Sequence, residues 1–250
     1  SLLTDYAVRY ARAFNDRFAF KLNAAYFKAT DWVARDDQDR RDRGRPAGFV
    51  PGTRDTNPLY DGLNLYGDEF GNAITIDNSI SATSRLRGTR LTRTGYREQD
   101  LLDLDAHNLR LGGALHYRLT DKLEAIALVN YGRGNLIQTA GQRVYYPEYE
   151  RTQAKLELRA DNFFVRGYTT QQTAEGYGTG TVARALNNAA APNAAWARDY
   201  VAAYDGLVPG VTAGNAAAAR VYADRTRLQP GTAAFNEVKN TAATTPNTQG

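Results

Sequence analysis

The sequence predicts a mainly-β fold: part of an antiparallel transmembrane β-barrel, about six strands, with long external loops that carry short helices. Three observations predict it. Six segments alternate apolar and polar side chains with period two. They fall into three pairs joined by tight turns, whereas the connections between pairs are long. The chain also holds 16 Tyr, a residue that girdles such walls at the lipid–water interface, although it also suits carbohydrate sites and ordinary sheets.

The first pair sets Tyr6, Val8 and Tyr10 opposite Ala7, Arg9 and Ala11, turns at Asn15-Asp16, and continues with Phe18, Phe20, Leu22, Ala24 and Tyr26 opposite Lys21, Asn23 and Ala25. The second sets Leu109, Leu111, Gly113, Leu115, Tyr117 and Leu119 against Asn108, Arg110, His116 and Arg118, and turns at Thr120-Asp121. Leu123, Ala125, Ala127, Val129 and Tyr131 follow, with Ile126 and Leu128 blurring the alternation. The third sets Ala154, Leu156, Leu158 and Ala160 against Lys155, Glu157 and Arg159, and turns at Asp161-Asn162. Phe164, Arg166 and Tyr168 then oppose Phe163, Val165 and Gly167, and the pattern does not decide which of these faces outward.

The expected hairpins are thus 4–28, 106–132 and 152–170, and the expected loops 29–105, 133–151 and 171–250. All three tight turns belong on one end of the sheet and the loops on the other, the asymmetry of an outer-membrane barrel. Phe20, Leu22, Leu111, Leu115, Leu156 and Leu158 are expected to face lipid, and Lys21, Asn23, Arg110, Lys155 and Arg159 the interior. A soluble β-sandwich with decorated loops also fits alternating strands; the loop asymmetry favours the membrane wall.

The first loop mixes both charge signs, from Asp31-Trp32 through Asp36, Asp37 and Asp39 to Arg45, and reads as a solvated surface held by local ion pairs. The three Asp lack the Gly and terminal Glu of an EF-hand loop. Tyr and Asp interleave over 57–69, as in loops that bind sugars or other polar ligands, so Trp32, Tyr60, Asp61, Tyr66, Asp68 and Glu69 are the candidate ligand contacts. The alternative is a loop packed on its own Tyr and Leu side chains. Arg85, Arg87, Arg90, Arg93 and Arg97, next to Glu98 and Asp100, read as lumenal or loop arginines rather than a phosphate track. Gly176 to Gly180 lacks the Lys-Ser/Thr of a phosphate loop. Asn193 is expected to cap a helix with Trp196, Tyr200 and Tyr204 on one stripe, ended by Gly206; Asn215 is expected to cap a second, to about Thr226. The stripe docks on the barrel rim or on the rest of the loop, with a separate α domain as the other reading.

Composition narrows the function classes. Net charge is +4, too small and scattered to call for nucleic acid. The absence of Cys excludes thiol catalysis, disulfide scaffolds and cysteine zinc sites. His107 and His116 lack metal-ligand spacing and no nucleophile sits in an elbow motif, so neither an enzyme nor a cofactor or metal site is expected. No stretch reaches the roughly 18 apolar residues of a membrane helix. The chain has no Met, begins in a strand-like pattern and ends polar and structureless from Thr241 to Gly250. Both ends read as cuts through a longer protein.

Several strings resemble TonB-dependent receptors of the Bacteroidetes type. They are Tyr6 to Asn15 with Phe18-Ala19-Phe20-Lys21, Asp31-Trp32, Asn57 to Asn64 with Tyr66 to Glu69, Arg93 to Leu101, and Leu156 to Phe164 with Arg166 to Thr170. The resemblance spans most of residues 1–235. It implies a 22-stranded outer-membrane barrel closed by an N-terminal plug and energised through TonB. It implies outer-membrane lipid, the TonB complex and a small-molecule or oligosaccharide ligand as partners, with a surface lipoprotein as a further one, and uptake of a siderophore, cobalamin or glycan. No plug and no TonB-contacting segment is recognisable, so residues 1–250 would supply a partial barrel domain. A non-transporting surface module, for adhesion or glycan binding, is the alternative.

Overall fold

The computed structural model describes residues 3–41, 45–140 and 142–244. It is mainly β, 42% strand and 23% helix. In chain order the elements are strands β1 (Thr4–Ala13), β2 (Phe18–Thr30), β3 (Leu65–Tyr66), β4 (Ile74–Thr75), β5 (Arg90–Leu91) and β6 (Tyr96–Arg97), and helix α1 (Glu98–Leu101). Then come β7 (Asp105–Thr120), β8 (Leu123–Ala140), β9 (Gln142–Ala160) and β10 (Phe164–Gly178), and helices α2 (Thr179–Ala190), α3 (Asn193–Tyr204), α4 (Ala216–Ala223) and α5 (Ala233–Thr244). They form two compact units: residues 1–32 with 103–176, and residues 33–102 with 177–250.

The first unit is one six-stranded antiparallel sheet in the order β1-β2-β7-β8-β9-β10, with β1 and β10 as its edges. The expected turns join β1–β2, β7–β8 and β9–β10 at the same end. At the first, Asn15 Oδ1 accepts from the N–H groups of Arg17 and Phe18, both at 2.9 Å, which fixes the reversal. The chain leaves β2 at Thr30, which pairs with Asp105 at the start of β7, so the long excursion departs from the opposite end.

Register aligns the predicted faces. Tyr10, Leu22, Gly113, Val129 and Ala154 form one row across the sheet, and Phe20, Leu115, Ala127 and Leu156 the next. The other face carries Arg9, Asn23, Gly112, Asn130 and Gln153 in one row and Ala19, His116, Ile126 and Glu157 in another. The faces of β10 follow from ion pairs: Arg166 Nε meets Glu157 at 2.8 Å, alongside Lys155 at 2.8 Å and Arg159 at 2.7 Å. Arg166 therefore lies on the polar face, and Phe163, Val165 and Gly167 on the apolar one.

One expected loop is strand instead. Residues 133–151 continue β8 and β9, paired through Ala140 and Gln142. Register shifts between Gly134 and Leu136, whose partners are Tyr149 and Tyr146, so Pro147 and Glu148 sit where the ladder is interrupted. Pro has no N–H to donate, and a bulge is where a strand tolerates it.

The expected loop from 171 begins as strand, since β10 runs on to Gly178, and the rest of the expected loops 29–105 and 171–250, for which short helices were expected, folds as the second unit, residues 33–102 and 177–250. Its core joins Ile76 and Leu91 from the first segment to Trp196, Ala197, Tyr200, Val201 and Ala203 of α3 and Ala219 and Ala223 of α4. The helix α3 carries its aromatic stripe as expected, Trp196–Tyr200 at 5.5 Å and Tyr200–Tyr204 at 6.3 Å between ring centres. The stripe packs on the rest of the loop. Gly206 ends the helix at φ +80°. Asn193 is not the cap: Pro192 precedes the helix, and Asn193 Oδ1 accepts from Arg93 Nη1 at 2.9 Å. Asn215 does cap α4, accepting from the Ala218 N–H at 3.0 Å. Three helices were not expected from the sequence: the short α1, α2 and α5. The segment Gly176 to Gly180 ends β10 and opens α2, whose Val182, Ala183 and Leu186 are buried. The helix α5 includes Thr241 to Thr244, expected to be structureless, while 245–250 lie outside the described residues.

Candidate functional site

The six-stranded sheet carries its burial inside out. Leu22 is 53% exposed while its neighbour Asn23 is half-buried; Leu156 is 69% exposed while Glu157 is 3% exposed. Tyr6, Val8, Tyr10, Leu111, Leu115, Val129 and Leu158 are exposed on the same face as Leu22. That face is banded. Phe14, Phe18, Phe20 and Tyr117 lie toward the tight turns, Phe14 stacking on Phe18 at 5.5 Å and on Phe20 at 5.3 Å. Tyr6, Tyr26 and Tyr131 lie toward the other end. Beyond Tyr131 the same face turns charged, with Arg133 3.3 Å from both Glu148 and Glu150. Along β2, Phe18 to Tyr26 spans roughly 27 Å at about 3.4 Å per residue. With a tilt of about 40° that is roughly 20 Å, near the apolar band of about 25 Å on outer-membrane barrels.

In the second unit the predicted ligand contacts scatter by role. Tyr60, Asp61, Tyr66 and Asp68 are buried, and most of their polar atoms are engaged within the unit. The Tyr60 hydroxyl donates to the Asp37 carbonyl, and burial pushes its pKa up to about 12, keeping it protonated. Asp61 Oδ2 accepts from the Phe70 N–H at 2.8 Å, with Arg40 at 3.5 Å and Arg45 at 3.6 Å. The Tyr66 hydroxyl donates to Glu98 at 3.0 Å, and Glu69 accepts from the Gly67 N–H at 3.0 Å. Trp32 belongs to the sheet unit. It is 62% exposed, with the Arg143 guanidinium 4.6 Å from its ring centre and Arg143 Nη2 3.0 Å from Asp31.

The mixed-charge loop is solvated at Arg35, Asp36, Asp37 and Arg41, as expected, but not at Asp39. Asp39 is buried and gathers the Asp61 N–H at 3.1 Å, the Gly52 N–H at 3.1 Å, the Asn57 amide and Arg45 at 3.2 Å. Residues 42–44 of that run lie outside the described residues. The basic run is likewise structural in part. Arg93 is buried against Trp196 and donates to the Asn187 and Ala191 carbonyls at 2.9 and 3.0 Å. These carbonyls end α2, where a cation is favoured. Desolvation lowers the Arg93 pKa to about 10, still charged at neutral pH.

Asp68 stands apart. Its Oδ2 accepts from the Gly62 N–H at 3.2 Å, but its Oδ1 is buried without a hydrogen-bond partner. A Cβ on Gly95 would come within 2.7 Å of that atom, so only Gly fits there. Burial, with help from Asp61 and Glu69, raises the Asp68 pKa to about 7 against the pull of Arg54.

Gly95 also lines a cavity of about 350 Å³, together with Asp37, Arg54, Tyr60, Leu65, Arg97, Asp100, Arg227 and Pro230. Sequence reasoning found Tyr60 but not Arg54 or Arg227, which sit outside every motif. No family model, no curated protein and no solved structure matches the chain.

Proposed function

We propose that this chain forms part of the barrel wall of a TonB-dependent outer-membrane receptor, a ligand-gated importer of a scarce nutrient such as a siderophore, cobalamin or glycan. The observation that carries the reading is the inverted burial of the six-stranded sheet, apolar side chains outward between two aromatic bands and charged or amide side chains on the other face. In water, burying an exposed Leu is favourable by about 1.5–3 kcal/mol, so a soluble sheet would turn these rows inward or cover them. Hydrocarbon reverses that preference and leaves backbone polar groups to be satisfied by strand pairing alone. The tight turns then face the periplasm. The second unit, inserted in the chain between β2 and β7 and following β10, supplies the surface that meets the ligand. The open edges at β1 and β10 require further strands to close the wall.

The test is fractionation and transport by the longer receptor of this reading. Its gene product should co-sediment with outer membranes and migrate differently in gel electrophoresis before and after boiling. Uptake of its ligand should be lost on deletion of TonB. Recovery in a soluble fraction, or uptake indifferent to TonB, would overturn the reading.

A further inference from the structure

The cavity in the second unit has a charge pattern that calls for an anion. Of its three arginines, Arg97 is paired, its Nη2 3.1 Å from Asp37. Arg54 has no hydrogen bond or ion pair among the described residues, and its buried Nε faces no acceptor. Its guanidinium lies 5.9 Å from the Tyr60 ring centre. Arg227 lies 3.8 Å from the ring centre of Tyr96 and donates from Nη2 to the Gly95 carbonyl at 2.9 Å, while its buried Nε is also without an acceptor. Among the described residues the remaining acid on the wall is Asp100. With Arg97 and Asp37 cancelling, Arg54 and Arg227 outweigh Asp100 by one positive charge. Buried guanidinium N–H groups left without acceptors are costly, and an oxyanion is the ligand that satisfies them, because the planar fork matches two oxygens at once.

The rest of the wall narrows the class. Leu65, Pro230 and the Tyr60 ring offer apolar surface beside the two arginines, and about 350 Å³ exceeds what a bare inorganic anion fills. We infer that this cavity binds a small organic carboxylate, its carboxyl group held between Arg54 and Arg227 and its carbon skeleton laid on Leu65, Pro230 and Tyr60. Both arginines come from separate loop segments of one unit, so the inference stands whether or not the sheet lies in a membrane.

The experiment uses the full chain refolded in detergent micelles, titrated calorimetrically with benzoate, succinate and inorganic phosphate. A carboxylate should bind saturably with a dissociation constant in the millimolar range or tighter, and more tightly than phosphate. Arg54→Gln should weaken it at least about tenfold, the loss of one charge-assisted pair. Among the described residues Arg54 makes no hydrogen bond or ion pair, so the variant should keep its Trp196 fluorescence and unfold cooperatively. Arg54→Lys should recover part of the affinity. Exposed Arg87→Gln should leave binding intact. No saturable binding of either carboxylate, equal binding by Arg54→Gln, or phosphate binding as tightly as the carboxylates would overturn the inference.

Discussion

Replacing Asp68 by Asn should remove a pH-dependent weakness from the second unit. The carboxyl group is buried, accepts one hydrogen bond from the Gly62 N–H, leaves Oδ1 unpartnered, and has Asp61 and Glu69 as like-charged neighbours. Its pKa rises from 3.8 to about 7 on folding. The folded state therefore holds the proton more tightly than the unfolded state. Stability from this group is full below about pH 4, falls as pH rises, and is lost by about pH 7, where the folded carboxyl ionises. A shift of about three units corresponds to roughly 4 kcal/mol at 1.36 kcal/mol per unit. Asn is close in shape to the protonated acid: its carbonyl can still accept from Gly62, and its amide takes the place of the acid hydroxyl. The assay is urea unfolding of the full chain in micelles, followed by Trp196 fluorescence in a Trp32→Phe background. The stability of Asp68→Asn minus that of the parent should climb from about pH 4 to pH 7 by several kcal/mol and then level. A difference that does not change with pH would refute the reasoning, as would an Asn variant less stable than the parent at pH 8.

Three further outcomes follow from other parts of the molecule. Leu111→Arg, on the middle rows of the apolar face, should cost about 2–4 kcal/mol in folding titrations into lipid vesicles, whereas Arg110→Leu on the other face should not. Trp196→Ala empties the centre of the second unit's core and strands its Asp224 partner, 2.8 Å from Nε1. It should lower stability by about 3–5 kcal/mol in chemical denaturation read by near-ultraviolet circular dichroism. Asn215→Ala removes the side-chain cap of α4 and should cost about 1 kcal/mol, while Asn193→Ala should leave α3 capped as before, a contrast readable in thermal melts.

The sheet was legible because its information is local. Alternation alone places Leu22, Leu111, Leu115 and Leu156 on one face, and the Asn15, Thr120 and Asp161 turns set the hairpins. The misreading of 133–151 has a local cause too. Pro147 and the charges Glu148, Glu150 and Arg151 look like a loop, but the proline sits in a bulge and the charges pair across strands. The second unit was illegible for the opposite reason. Ile76 and Leu91 meet Trp196 and Tyr200 only through contacts more than 100 residues apart, which no periodicity announces. The arginines Arg93, Arg54 and Arg227 carry no local sign of burial. Most of the interleaved Tyr and Asp side chains at 57–69 are engaged in holding the unit together, and Arg54 and Arg227, each with a buried Nε that lacks an acceptor among the described residues, lie outside that stretch.

The most direct test of the membrane-wall account is the solution state of the purified 250-residue chain without detergent, measured by sedimentation with a thermal melt. The exposed rows through Leu22, Leu115 and Leu156 and the unpaired edges of β1 and β10 predict large aggregates in buffer and transfer into a detergent phase. A monodisperse monomer of 27.6 kDa that melts cooperatively in buffer alone would contradict the account and favour a soluble sheet protein.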